Sequence, residues 1–193
     1  TADWRAVPLL NGKDLKLGER YAKDGLAQCD QALAIDGKFA EVLALKGILL
    51  GMSITYDPAS AMTLGPQSGA NIQTALAVAP RNPRVWLLAG ITALSRPVQF
   101  GGGPEAAEPL LAHSLELFAA GSTATDSLTT AASLDWGRDD APLWLGRAAM
   151  ARKDYAAARD RFQAALAVNP ENGWVRSALL PEAEKALAGA ARP

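Results

Sequence analysis

One stretch constrains the fold more than any other. Residues 139–172 contain a helix, a tight turn and a second helix, in a spacing that recurs along the chain. Gly146 lies midway along the first predicted helix, and because small residues have almost no side chain, the two helices can approach closely where they cross. Phe162 then fills the remaining space, and Pro170 ends the second helix. The packing face of that second helix follows at steps of four and three residues: Ala158, Phe162 and Ala165.

The same order recurs in other parts of the chain. The second-helix sequence FQAALAVNP is echoed by CDQALAIDG and by QTALAVAP, and Gly47 and Gly90 stand where Gly146 stands in the first helices. Asp139 or Asp140 is expected to cap the first helix of the last unit. The echoes define repeat-like units at about 13–37, 40–80, 83–119 and 139–172, followed by a C-terminal capping helix at 173–188 that Pro181 kinks or splits.

The segments between the predicted helices differ in length. Residues 55–69 contain two prolines and two glycines, which predict an irregular connection before a second helix at 70–79. Residues 97–103 lengthen the next turn in the same way. Residues 120–138 are small and polar, which predicts a linker whose Leu134 and Trp136 pack against the following repeat. Residues 1–12 predict an irregular lead-in, and the first residue, Thr1, leads us to expect a removed leader or tag, or a start inside a longer protein.

This pattern resembles the tetratricopeptide repeat, whose signature places a tryptophan four residues before the crossing glycine. Trp86 and Gly90 occupy these places in register, whereas in the last unit the aromatic is Trp144 and Ala149 replaces a tyrosine. A bacterial member of that family is our interpretation. The resemblance implies an all-α fold: a right-handed α-α superhelix of about three helix pairs plus terminal helices, forming a single domain over residues 1–193.

The resemblance also implies a concave groove lined by the first helices. Such a groove suits a peptide or protein partner with acidic side chains, so the expected function is a non-catalytic interaction or scaffold module. Coverage of the same surface by the insertions or the terminal helices is an equally open alternative. In the earliest pair the matching places are Glu41, Ala44, Ile48 and Gly51. The predicted partner-binding residues are Arg84, Leu87, Ile91, Leu94, Asp140, Leu143, Arg147 and Met150.

A second hypothesis belongs to a different functional class. The two inter-helix insertions would shape a pocket for a small ligand, as in repeat proteins associated with bacterial transporters. A deep pocket would favour this hypothesis, and an open, uninterrupted groove would count against it. The predicted pocket residues are Tyr56, Met62, Phe100 and Trp136.

Composition narrows the remaining classes. The net charge of −1 gives no field that favours nucleic acid, and no apolar stretch reaches the length of a membrane span. With one cysteine and one histidine, no catalytic residue, metal site or cofactor is predicted, and we expect the protein not to be an enzyme. Cys29 is expected to be buried filler and His113 a helix-surface or partly packed residue. Phe100 is expected to pack back beside a glycine turn. The compartment stays open between periplasmic or exported and cytoplasmic.

Overall fold

The computed structural model describes residues 14–121 and 136–190, and every regular element in these ranges is helical, which confirms the all-α prediction. Short 3₁₀ turns lie at Pro58–Ser60 and Val98–Phe100, and a π turn lies at Val175–Leu179. Within these ranges no helix combines the length and the apolar character that crossing a membrane requires. The α-helices are α1 (Leu15–Ile35), α2 (Ala40–Ser53), α3 (Ala61–Val78), α4 (Pro83–Ser95), α5 (Pro104–Ala119), α6 (Asp140–Ala151), α7 (Tyr155–Val168) and α8 (Leu180–Ala190).

The described helices fall into two compact units. The first lies within Thr1–Pro80 and contains α1 to α3, and the second lies within Arg81–Pro193 and contains α4 to α8. The helix boundaries agree with the predicted repeat-like units, since each of the pairs α2–α3, α4–α5 and α6–α7 occupies one unit. The superhelical arrangement and the single domain over residues 1–193 stay predictions. The predicted lead-in at residues 1–12 lies outside the described residues.

In the first unit, close approach at glycine holds the helices together. A Cβ added to Gly47 of α2 would lie 2.8 Å from Ile72 Cγ1 of α3, so only a hydrogen fits there. Ser68 is buried, and its hydroxyl donates to the Gly47 carbonyl at 2.7 Å. Between α1 and α2, the Lys46 ammonium approaches the Asp30 carboxylate at 2.5 Å. Apolar packing and one buried hydrogen bond therefore fix α3 on α2.

The second unit contains two further close contacts between a glycine in one helix and a large side chain in the next. A Cβ on Gly90 of α4 would lie 2.6 Å from the Leu111 side chain of α5, and one on Gly146 of α6 would overlap the ring of Phe162 in α7. Phe162 is fully buried, as the sequence predicts. The Ser114 hydroxyl of α5 also donates to the Pro83 carbonyl at 2.8 Å. The predicted close crossing of paired helices is confirmed at both glycines.

The connection at 55–69 differs from its prediction. Helix α3 begins at Ala61 and contains Pro66, so most of the segment predicted as irregular is helical. Pro66 removes one backbone donor, which would normally end or kink a helix. Here the buried Ser68, two residues later, bonds to the backbone of α2, and tertiary packing outweighs the local preference.

A π turn lies directly before Pro181 in the terminal helix. Pro181 lies at the start of α8, directly after the π turn, in which the Leu180 N–H donates to the Val175 carbonyl. Since proline has no N–H and its ring crowds the carbonyl four residues earlier, the wider turn accommodates it. Residues 173–190 are helical throughout, so the terminal helix is not split at Pro181 but widens into a π turn directly before it.

Capping of α6 differs from the prediction in detail. The carboxylate of Asp139 does not cap the helix. Its Oδ2 accepts hydrogen bonds from the Asn169 and Asn172 amides at 2.8 and 3.0 Å. Asp139 therefore ties the start of α6 to the end of α7.

Substituting Gly146→Ala tests the close crossing of α6 and α7. The added methyl group meets the ring of Phe162, so we expect the free energy of unfolding to fall by about 1–3 kcal/mol. The control is Gly189→Ala, which adds a methyl group where nothing lies within 4 Å in an exposed part of α8. Urea denaturation measures both, and equal stability of the two variants would contradict a tight crossing.

Candidate functional site

The predicted groove residues separate into two groups. Leu87, Ile91, Leu143 and Asp140 are buried and are not available to a partner in this structure. Helix α4 is apolar on nearly all sides, and a helix of that kind is enclosed rather than half-exposed. The continuous apolar strip expected along the first helices is therefore not displayed. The half-buried members that keep part of their surface are Arg84, Leu94, Arg147 and Met150.

Arg84 has a local role. Its Nε donates to the Trp136 carbonyl at 3.2 Å, and its guanidinium carbon lies 5.1 Å from the centre of the Trp136 ring. The neighbouring Arg138 donates to the Phe118 carbonyl at 3.2 Å in the same manner. Trp136 was expected to pack against the following repeat, but these contacts hold it against α4 of the preceding pair. Leu134 lies outside the described residues.

The four predicted pocket residues are divided between the two units, two in each. Tyr56 and Met62 belong to the first unit, and Phe100 and Trp136 belong to the second. Met62 is 81 % exposed and Phe100 is 65 % exposed, so neither side chain lines an enclosed cavity. Tyr56 instead packs on α1 at Gly18, where an added Cβ would lie 2.5 Å from the Tyr56 hydroxyl.

The turn that carries Phe100 is built by glycine. Gly103 has a φ of +101°, and its N–H donates to the Ala93 carbonyl at 2.9 Å. A side chain on Gly102 would overlap the carbonyl of Arg96. The expected tight inter-helix turn is confirmed, but it displays Phe100 outward and does not fold the ring back onto the helices.

The most unusual arrangement of charge surrounds Arg147. Its guanidinium carbon lies 4.5 Å from the centre of the Trp144 ring and 5.2 Å from that of Trp174. The two indoles contact each other edge-on, with their centres 6.2 Å apart and their planes at 74°. Trp144 and Arg147 are three residues apart on one face of α6, and Trp174 directly precedes the π turn. We call these three residues the arginine–tryptophan cluster.

Partial burial makes the charge of Arg147 less favourable than it would be in water. Burial lowers the pKa of the Arg147 guanidinium, and the charge of Glu182 opposes this shift only in part. Within residues 14–121 and 136–190, no hydrogen bond or ion pair reaches Arg147. Cation–π contact offsets part of the lost hydration, and the N–H donors, which have no acceptor among the described residues, keep contact with solvent.

Arg147 differs from the residues at the equivalent position of the other helix pairs. The residue directly after each crossing glycine is Ile48, Ile91 and Arg147 in successive helix pairs. The two isoleucines are 2 % and 0 % exposed. The fold thus accepts an apolar side chain at this position, and an arginine departs from the local pattern. Such departures are typical of functional sites.

Sequence reasoning located part of this cluster. It placed Arg147 in a binding surface and Trp144 at the aromatic position of the last unit, and Trp144 is buried. It missed Trp174, because no periodic pattern connects a residue after Pro170 with α6. A tryptophan just beyond a helix-ending proline was the available signal.

Other chemistry-bearing residues show no such convergence. The His113 ring is partly exposed on α5, its Nδ1 lies 3.4 Å from a Glu116 oxygen, and its edge meets Trp86. Cys29 is buried, as expected. In the part of the chain that the structure describes, no group of three or more His, Cys, Asp or Glu side chains could hold a metal ion.

Replacing Arg147 with the isoleucine of the other repeats tests whether the arginine serves the fold. Arg147→Ile removes a half-buried charge, so the free energy of unfolding should stay equal or rise by up to about 1 kcal/mol. Arg176→Ile is the control, since Arg176 is exposed and faces Glu171 at 3.9 Å. Thermal and urea denaturation measure both. A loss above about 1.5 kcal/mol for Arg147→Ile alone would make it a structural residue.

Cys29 should be inert in the native protein. Burial raises its pKa from 9.0 to about 11, so at pH 8 only about one thiol in a thousand is ionised. We expect iodoacetamide to label Cys29 only in denaturant, as mass spectrometry can show.

Because the folded state keeps the Cys29 proton more tightly than the unfolded state does, the free energy of unfolding should fall as pH rises from about 9 to 11. The Cys29→Ala variant should lack this contribution to the fall in the free energy of unfolding. Rapid labelling of Cys29 in the native protein would contradict a buried thiol.

Comparison with known proteins gives one informative result. No family model matches the sequence, and no curated protein matches it. Among solved structures, the chain is similar to the HusA haemophore from Porphyromonas gingivalis, with a TM-score of 0.54 and 23 % identity over 76 % of this chain and 80 % of that one. At this identity the likeness shows a shared helical fold. The tetratricopeptide resemblance stays a prediction.

Proposed function

We propose that this protein is a non-catalytic binding protein for a small anionic ligand with a flat, apolar body. The ligand's anionic group is held by Arg147, and its body lies against Trp144 and Trp174. One observation carries the proposal: a half-buried guanidinium without a hydrogen-bond partner in the described residues occupies a place where the other repeats bury isoleucine.

The chemistry of the cluster fits that ligand. A guanidinium presents five N–H donors in a rigid plane, and its bonds to an anion are charge-assisted and short. The indoles lower the local dielectric around Arg147, which strengthens its attraction for an anion. Trp174 is half-buried, so part of its ring is open to an aromatic ligand. Binding would therefore combine one charged contact with ring stacking.

The structural neighbour suggests a first ligand to test. That protein is called a haemophore, and haem is a flat aromatic ring that carries two carboxylates. Both features match the cluster described above. A porphyrin is therefore a suitable probe, although the shared fold alone does not transfer the ligand.

The interaction module predicted from the sequence is the second candidate. Val98 and Phe100 favour it, because they are 71 % and 65 % exposed on a turn that glycines hold in one conformation. An acidic side chain of a peptide would also suit Arg147. The burial of Leu87, Ile91 and Leu143 leaves such a peptide less apolar surface, so the small ligand is preferred.

Titration with haemin and with metal-free protoporphyrin tests the proposal. Tryptophan fluorescence should fall on binding, because two of the five tryptophans lie at the site. Arg147→Ile should weaken binding about tenfold or more, the usual cost of losing a charged hydrogen bond. Arg176→Ile removes the same charge from an exposed position and should bind as the wild type does.

The metal-free porphyrin distinguishes recognition through the haem iron from recognition through the carboxylates and the ring. If recognition depends on the carboxylates and the ring, both porphyrins bind with similar affinity. Equal affinity of Arg147→Ile and wild type for both would contradict the proposed site. Binding of acidic peptides, with no binding of either porphyrin, would favour the interaction module instead.

A further inference from the structure

We propose that the arginine–tryptophan cluster selects a singly charged carboxylate over a doubly charged phosphate or phosphonate, and that Glu182 sets this selectivity. The inference rests on the proposed function of Arg147. It goes further because it names the anion class and adds a residue that no pattern in the sequence singles out.

The geometry restricts what Arg147 can offer an anion. Indole rings lie against two sides of the guanidinium, at 4.5 and 5.2 Å from its central carbon, so an anion must approach from the sides that remain. A planar carboxylate pairs with two parallel N–H groups of a guanidinium. Tetrahedral phosphate sites generally add further donors, such as the free N–H groups at a helix start. Arg147 is the eighth residue of the twelve in α6, so the first turn of α6 supplies none.

The charge balance points in the same direction. Glu182 is exposed in the first turn of α8, which directly follows the π turn after Trp174, and among the described residues no ion pair joins Glu182 to Arg147. Two arginines close in sequence to the cluster are engaged elsewhere, since Arg152 pairs with Glu108 and Arg176 faces Glu171 at 3.9 Å. One guanidinium beside one carboxylate leaves little net positive charge. A singly charged anionic group matches that balance, whereas a doubly charged group meets about twice the repulsion from Glu182.

Matched aromatic probes test this selectivity directly. Naphthalene-2-carboxylate and 2-naphthylphosphonate share one ring system, and at pH 8 they carry one and two negative charges. Naphthalene-2-carboxamide is the neutral control. We expect the carboxylate to bind about tenfold or more tightly than the phosphonate by calorimetry, and the amide to bind most weakly.

The variant Glu182→Gln tests whether the charge of Glu182 causes the selectivity. Removing this charge should tighten phosphonate binding about threefold or more while changing carboxylate binding less, so the ratio of the two affinities shrinks. The control is Glu184→Gln on the same helix, which should leave the ratio unchanged. An unchanged ratio in Glu182→Gln overturns the role of Glu182, and wild-type phosphonate binding as tight as carboxylate binding overturns the selectivity.

The two proposals fail in distinguishable ways. If both probes bind equally and Arg147→Ile abolishes both, the proposed site stands and only the selectivity is wrong. If the probes bind wild type and Arg147→Ile with the same affinities, or if no probe binds, the site itself is wrong and the selectivity falls with it.

Discussion

The close contact of a glycine in one helix with a large side chain in the next is the constraint on which each helix pair depends. Gly47 meets Ile72, Gly90 meets Leu111 and Gly146 meets Phe162. Because a Cβ at any of the three would overlap or crowd its neighbour, the crossing point in each pair is fixed to one residue. The side chain that follows each glycine is then fixed as well. In this way a packing rule of the fold determines where Arg147 lies.

Local spacing explains what could be predicted from the sequence. The steps from Ala158 to Phe162 and Ala165 encode a helical face, and Pro170 encodes its end, so the helix pair at 139–172 was predictable. The helical course through Pro66 was not, because it depends on the bond from Ser68 to a carbonyl 21 residues earlier in the chain. Proline is a local signal, and the interaction that outweighs it is not local.

The site was less predictable than the fold for the same reason. Trp144 and Trp174 are 30 residues apart, and their contact joins α6 to the start of the terminal helix, which no local pattern in the sequence connects. The burial of Leu87 and Ile91 had a visible signal, since the sequence of α4 has almost no polar face. A groove inferred from the repeat pattern placed these residues at a surface, although their own helix indicates a buried position.

Arg147 shows how this fold accommodates a residue that packing alone would not favour. Isoleucine at the equivalent positions is buried without difficulty, so the helix crossing places no demand for a charge there. A half-buried guanidinium that has no acceptor in the described part of the chain loses hydration, and two indoles offset that loss in part. In a chain under selection for stability alone, such a residue is readily replaced. Its presence between two tryptophans therefore supports the proposed ligand, whose anionic group would replace solvent as the acceptor.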